Sequence, residues 1–375
     1  MIKVLNIISD TNIGGAGRAL LNYLAHYDRA EFENAVILPQ GSELKPRLDA
    51  LGVRVIEADI AADKSFSPKD TGKLKALIKA EAPDVVHTHG SLTGRMAAKR
   101  SGVRTVVTRH SAFPFSKKIT KTPLKLGYKY LYEHYADRII AISPAGAELL
   151  YEIGVRPERV DVMMNGAEPV TRLGDKEREE LRQSFGVDKE TFLLGVLARI
   201  EEYKGHDDML SALAILRGEG RNVKLLIVGT GSYEAALREK ISKLGLEDAA
   251  IMAGFRSDVG AVLSAMDIQL NASYVSETSS LSIIEGFSIS LPALCSRTSG
   301  NPYLVNEGVS GLLFEPRSAE DMAAKIRLVM DSPELYASLS RGALREYGER
   351  FTGERFAADL EKVYKKALEM GKNGK

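Results

Sequence analysis

Ile268-Gln269-Leu270-Asn271-Ala272-Ser273-Tyr274-Val275-Ser276-Glu277-Thr278-Ser279-Ser280-Leu281-Ser282-Ile283-Ile284-Glu285 reads as a short buried strand, a polar loop and the opening turns of a helix. Strand, loop, helix is the repeating unit of a parallel α/β sheet. Working outward, the same unit recurs in both directions. Toward the C-terminus, strands are predicted at Ala293–Ser296 and Gly311–Phe314. Toward the N-terminus they are predicted at Ala250–Ala253, Lys224–Val228 and Phe192–Ala198, separated by helical periodicity over Asp207–Arg217 and Tyr233–Leu244. Uninterrupted apolar runs such as Leu225-Leu226-Ile227-Val228 suit strands covered on both faces.

An earlier series repeats the pattern: Val4–Ile8, Asn34–Leu38, Arg54–Ile56, Asp84–His87, Arg104–Thr108, Arg138–Ile142 and Val160–Met164. Two series in 375 residues imply two domains. The turn signal Asn165-Gly166 and Pro169 place the boundary near residue 170, giving domains 1–170 and 171–354.

The bulk composition narrows the class. Hydrophobic residues at 44% and charged residues at 27% are those of a globular protein, and a net charge of +1 offers no global attraction to nucleic acid or membrane. A single cysteine, Cys295, excludes an intramolecular disulfide framework and suits a reducing compartment, so a cytoplasmic protein is expected. Met1–Ile8 reads as a first strand rather than a targeting segment, and no apolar stretch reaches the roughly 20 residues of a membrane span.

In open α/β sheets ligands bind beyond the carboxyl ends of the strands, and the unusual residues fall there. After the first strand, Asp10-Thr11-Asn12-Ile13-Gly14-Gly15-Ala16-Gly17 combines glycines with a helix start, suited to close approach of an anion or simply to a tight turn. After Phe192–Ala198, Arg199 and Lys204 can converge on a diphosphate, or form a solvated basic loop. In the opening stretch, backbone N–H groups at Thr278, Ser279, Ser280 and Leu281 suit a phosphate, and Glu285 suits the paired hydroxyls of a ribose. Alternatively, Ser282 and Glu285 form a helix capping box. His87 and His89 end one strand and His110 the next; no metal site is expected from them, since no carboxylate or cysteine stands at ligand spacing. From Val85 to Tyr132 there is no acid and ten Lys or Arg, interleaved with aromatics. That stretch suits an anionic membrane or a phosphorylated acceptor, contacted through residues 95–131, or a solvated basic face over an ordinary core. Nucleic acid is not expected.

Taken together, these elements resemble the retaining glycosyltransferases of family 4. The resemblance rests on Glu277…Glu285 as an E-x(7)-E motif, Arg199-x(4)-Lys204-Gly205, Gly229-x-Gly231, Gly254-Phe255-Arg256, Asn165-Gly166 and His110. It implies the α/β fold called GT-B, two Rossmann-like domains facing across an interdomain cleft, with a terminal helix (355–375) returning to the first domain. It also implies a hexose-type sugar carried by a nucleoside diphosphate, UDP favoured and GDP possible, moved to a glycan or lipid-linked acceptor with retained configuration. Arg199 and Lys204 would bind the diphosphate; Glu277, Thr278, Ser279, Ser280 and Leu281 the sugar and phosphate; Glu285 the ribose. Gly229, Gly254, Phe255 and Arg256 would line the donor site, Gly14 and Gly15 would approach phosphate or acceptor, and His110 would contact the transferring sugar. No metal or other cofactor is implied. Thr278-Ser279-Ser280 departs from the usual Gly-Phe-Gly, Tyr303 stands where an acid is usual, and Ser290 where glycine is common. A sugar-nucleotide epimerase and a non-catalytic nucleotide-sugar-binding protein remain the alternatives.

Overall fold

The structure is a computed structural model that describes residues 1–370. The chain forms two compact units: Met1–Ala167 together with the chain from Gly353 onward, and Glu168–Thr352. The boundary expected near residue 170 falls between Ala167 and Glu168.

The first unit carries seven strands: β1 (Ile2–Ile7), β2 (Phe32–Pro39), β3 (Arg54–Ala58), β4 (Val85–His89), β5 (Arg104–Arg109), β6 (Arg138–Ala141) and β7 (Val160–Val162). They pair in the order β3-β2-β1-β4-β5-β6-β7, all parallel. The second unit carries β8 (Phe192–Leu197), β9 (Val223–Val228), β10 (Ala250–Gly254), β11 (Ile268–Asn271), β12 (Ala293–Ser296) and β13 (Gly311–Phe314). Their order, β10-β9-β8-β11-β12-β13, is again all parallel. In each sheet the order reverses beside the first strand, creating a crevice at the carboxyl ends of β1 and β4 in one unit and of β8 and β11 in the other.

Burial follows the sequence pattern. Leu193, Leu194, Leu225, Leu226 and Ile227 are fully buried, with helices on both faces of their sheet. The helix Gly353–Glu369 belongs to the first unit. Its apolar positions Phe356, Leu360, Val363 and Tyr364 pack on Leu20, Tyr23, Phe32 and Val85. Of the returning segment expected over 355–375, residues 371–375 lie outside the described residues. Among the described residues no helix is long and apolar enough to cross a membrane.

Candidate functional site

In the second unit the loops leaving β8 and β11 are neighbours because their strands are paired. That pairing joins residues 73 positions apart: Lys204 Nζ donates to Glu277 Oε2 at 2.9 Å. The same oxygen accepts from Asn271 Nδ2 and Ser273 Oγ, each at 3.0 Å. Burial raises the Glu277 pKa, but Lys204 and these hydrogen bonds outweigh it and hold the carboxyl below its usual range. Glu277 is therefore ionised, buried and clamped. Arg199 is exposed, its guanidinium donating to the Tyr203 hydroxyl at 3.0 Å.

The loop Thr278–Ser280 then feeds the helix Leu281–Ser288, whose N-cap, Ser280, makes no side-chain cap. The Ser280 hydroxyl thus leaves the first-turn N–H groups without its own cap, an arrangement suited to a phosphate. The capping-box alternative for Ser282 and Glu285 fails. The helix begins at Leu281, so Ser282 lies inside its first turn, and its hydroxyl donates to the Leu197 carbonyl at 3.1 Å. Glu285 is buried one turn further on.

The loop is held from behind by Gly300. Its N–H donates to the Glu277 carbonyl at 2.9 Å, and a Cβ there would lie 1.7 Å from the Thr278 carbonyl oxygen. At Gly229 a Cβ would lie 2.0 Å from the Ala198 carbonyl oxygen. That glycine lets the β9 loop press on the backbone just before Arg199. Gly254 has φ +66° at the end of β10. Phe255, beside it, is 76% exposed, and Arg256 pairs with Asp258 at 2.5 Å. Ser290, where glycine is common, has φ +65°. Tyr303 lies on the short helix Asn301–Leu304, partly exposed.

In the first unit, Gly14 and Gly15 sit at the start of the helix Gly15–His26, with Gly14 as an uncapped N-cap. The three histidines form one cluster. His87 bonds the Tyr364 hydroxyl through Nδ1 and Thr108 Oγ1 through Nε2, both at 2.8 Å. His89 Nδ1 meets His110 Nε2 at 3.0 Å, their rings stacked with centroids 5.2 Å apart. Burial lowers the pKa of all three, His87 to about 3 and His110 to about 4, so the cluster is neutral near pH 7.

The basic stretch is narrower on the surface than in the sequence. Arg95 is buried with its guanidinium 5.1 Å from the Tyr132 ring centre, Arg104 pairs with Asp137 at 3.1 Å, and Arg109 stacks on Phe115. These three cations serve the fold. Lys99 and Arg100 stay exposed, Lys125 and Lys129 are half-buried, and Lys117, Lys118 and Lys121 stand exposed with Phe113, Leu124, Leu126 and Tyr130 on and before a helix (Leu124–Tyr135) that has no buried residue. Among the described residues no three His, Cys, Asp or Glu side chains converge as a metal site.

Two parallel sheets with this strand order are two Rossmann-like units, one of them ending in a loop pair suited to an anion. The profile of the family described as glycosyl transferases group 1 matches residues 177–346, and that of the glycosyl transferase 4-like domain matches residues 14–166. The chain belongs to this glycosyltransferase family, with the GT-B fold. It is 26% identical over 354 residues to the Escherichia coli UDP-Gal:alpha-D-GlcNAc-diphosphoundecaprenol alpha-1,3-galactosyltransferase, covering 89% of each chain. It is 28% identical over 314 residues to the D-inositol 3-phosphate glycosyltransferase of Rhodococcus erythropolis, covering 77% of this chain and 69% of that one. The Anabaena protein Alr3699/HepE, solved in complex with UDP-glucose, superposes with a TM-score of 0.85 at 22% identity, covering 98% of this chain and all of the other. The protein is a glycosyltransferase that draws its sugar from a nucleotide sugar or a similar donor.

Proposed function

We propose that this enzyme moves a hexose-type sugar from UDP, with GDP as second choice, to a glycan or lipid-linked acceptor, retaining anomeric configuration and needing no metal. The observation that carries the reading is the loop pair at the β8–β11 crevice. Two cations, Arg199 and Lys204, share it with an uncapped helix N-terminus at Leu281. As the bond between the anomeric carbon and the phosphate oxygen breaks, negative charge grows on the diphosphate. Fixed positive groups stabilise that charge without reorganising. The acceptor hydroxyl bonds to the same face of the sugar, and its proton passes to the departing phosphate oxygen. Glu285 takes the ribose, Phe255 and Arg256 border the base, and Glu277 with Thr278 and Ser279 meets the sugar. His110 meets a sugar hydroxyl, and Gly14 and Gly15 admit phosphate or acceptor.

The UDP preference draws on the UDP-galactose and UDP-glucose named for the Escherichia coli and Anabaena relatives. Nucleotide release from UDP-, GDP- and ADP-sugars in EDTA, compared between wild type and Glu285→Ala, tests donor and metal independence together. Release from one donor that the variant loses is expected; release only after divalent metal is restored overturns metal independence. An inverted anomeric product, read by NMR, overturns retention.

The exposed strip around Phe113–Tyr130 favours a lipid-linked acceptor, handled by a cytoplasmic enzyme resting on the inner face of a membrane. Lysines beside exposed Leu124, Leu126 and Tyr130 combine attraction to anionic headgroups with apolar insertion. Co-sedimentation with anionic vesicles that weakens with salt is expected. Equal sedimentation with neutral and anionic vesicles refutes it.

A further inference from the structure

The histidine cluster contains an unbalanced pair. His87 is satisfied at both ring nitrogens, by Tyr364 and Thr108. His89 and His110 bond only to each other, through Nδ1 and Nε2. Their other nitrogens, His89 Nε2 and His110 Nδ1, are buried with no hydrogen-bond partner among the described residues. His89 is itself 7% exposed. Both border a cavity lined by Tyr23, His87, Thr108 and Met163, with room for about one water molecule. A buried polar atom left unbonded costs roughly 1–3 kcal/mol, so a pair with two of them calls for a ligand.

A neutral imidazole carries one N–H and one lone pair. If His89 Nδ1 donates, His110 Nε2 accepts, and His110 Nδ1 must then be a donor. If the proton sits on His110 Nε2, His110 Nδ1 becomes an acceptor and His89 Nε2 the donor. The state of His110 Nδ1 is thus set entirely by where the proton lies between the two rings. We infer that His89 is the positioning residue for His110, orienting its ring and fixing its tautomer so that Nδ1 is presented to a sugar hydroxyl. A hydroxyl both donates and accepts, so the tautomer that His89 fixes decides which of the two roles the sugar hydroxyl takes at Nδ1. His87 lies against His89, ring centroids 4.4 Å apart and planes tilted by 39°, and is tied to the terminal helix through Tyr364, which sets the pair in place.

The titratable groups facing the pair are His87 from β4, Tyr23 from the helix Gly15–His26 and Tyr364 from the terminal helix. Among the described residues no carboxylate, lysine or arginine lines the cavity. Both rings are therefore held neutral by burial, and opening the cavity to water raises the His110 pKa from about 4 toward its ordinary value.

This inference rests on the reading of His110 as a sugar contact, and the test separates the two. In wild type, 15N NMR of the histidine rings is expected to show His89 and His110 as neutral rings of the same tautomer, both protonated on Nδ1 or both on Nε2. His89→Ala is expected to scramble the His110 tautomer, lower kcat about tenfold with little change in donor KM, and move the acid limb of the pH profile up by about one unit. His89→Asn, which keeps an amide where Nδ1 stood, is expected to recover most of kcat. A His110 tautomer unaltered by His89→Ala, or equal losses in both variants with an unmoved acid limb, overturns the inference. A disturbed tautomer with unchanged turnover leaves the pairing standing and refutes the sugar-contact reading of His110. If His89→Ala does not fold, independent tautomers in the wild-type spectrum overturn the inference unaided.

Discussion

Replacing Lys204 by methionine roughly keeps the length of the side chain and removes the cation bonded to the Glu277 carboxylate. At 2.9 Å the pair attracts with about 6 kcal/mol gross at an effective dielectric of 20. Desolvation offsets much of this, and removing one partner of a buried pair typically costs about 3–5 kcal/mol. Asn271 and Ser273 still bond the stranded oxygen, so the lower end, about 3 kcal/mol, is expected. Glu277→Gln alone leaves Lys204, itself partly exposed, able to reach water, and is expected to cost about 2 kcal/mol. The double variant strands no charge, so it is expected to cost no more than Lys204→Met alone.

The measurement is a double-mutant cycle from denaturant midpoints, on the transition of the second unit if the two unfold separately. A coupling of about 2 kcal/mol is expected; single effects that add within about 0.5 kcal/mol refute the reasoning. Linkage gives a second readout. Because the folded Glu277 pKa lies below its unfolded value, its contribution is complete above about pH 4.5 and is lost as pH falls through the folded value. The Lys204 variant should therefore lose less stability than wild type over that acid interval. Turnover in Lys204→Met should also fall, by about 10²–10³-fold if the lysine meets the growing phosphate charge.

Ser290→Gly relieves a side chain held at φ +65°. The αL penalty of about 1–2 kcal/mol exceeds the entropy a glycine adds to the unfolded chain, so thermal denaturation should show a gain of up to about 1 kcal/mol; a lower Tm contradicts this. Gly300→Ala drives a Cβ against the Thr278 carbonyl. It should destabilise by about 1–3 kcal/mol and weaken nucleotide binding in calorimetry, whereas wild-type affinity would show that the loop's position is immaterial. The buried histidines make the first unit acid-sensitive. Their folded pKa values lie below about 6.5, so stability is complete above that pH and falls as the unfolded state takes up protons. At pH 5, His87 and His110 should each remove about 2 kcal/mol relative to pH 8. Identical midpoints at the two pH values would show that the rings are not buried neutral.

Both sheets are legible in the sequence because doubly covered strands must be continuously apolar. Leu225–Val228 announces itself in this way, whereas Ile268–Asn271 alternates apolar and polar residues and is legible from the polar loop and helix that follow it; boundaries shift by a residue or two where strands fray, as at β7, which stops at Val162 rather than Met164. Arg199, Lys204 and Glu277 are legible as residues of post-strand loops, and Glu285 as a residue of the helix that follows. Their partners are not. The Lys204–Glu277 bond exists because β8 pairs with β11, a crossover that no local pattern reports. Tyr364 reads as one more apolar position of an amphipathic helix, yet its hydroxyl bonds His87 across 277 residues. The Ser282 misreading has a local cause: the helix starts one residue before it, and its hydroxyl finds the Leu197 carbonyl instead of a backbone N–H.

The two crevices answer to different chemistry. In the second unit the strand-end groups are charged, and the acid among them is kept ionised by a lysine. Such a surface handles an anion, whose stabilisation grows with fixed charge. In the first unit the corresponding groups are three imidazoles kept neutral by burial, His87 bonded at both nitrogens by a tyrosine and a threonine hydroxyl. Neutral donors and acceptors offer a phosphate no net charge, and they match a sugar hydroxyl, which can satisfy both roles at once. A charged replacement would discriminate: His110→Lys should help if that crevice served an anion. Loss of turnover in His110→Lys, with donor affinity retained, is the expected result if it serves a hydroxyl.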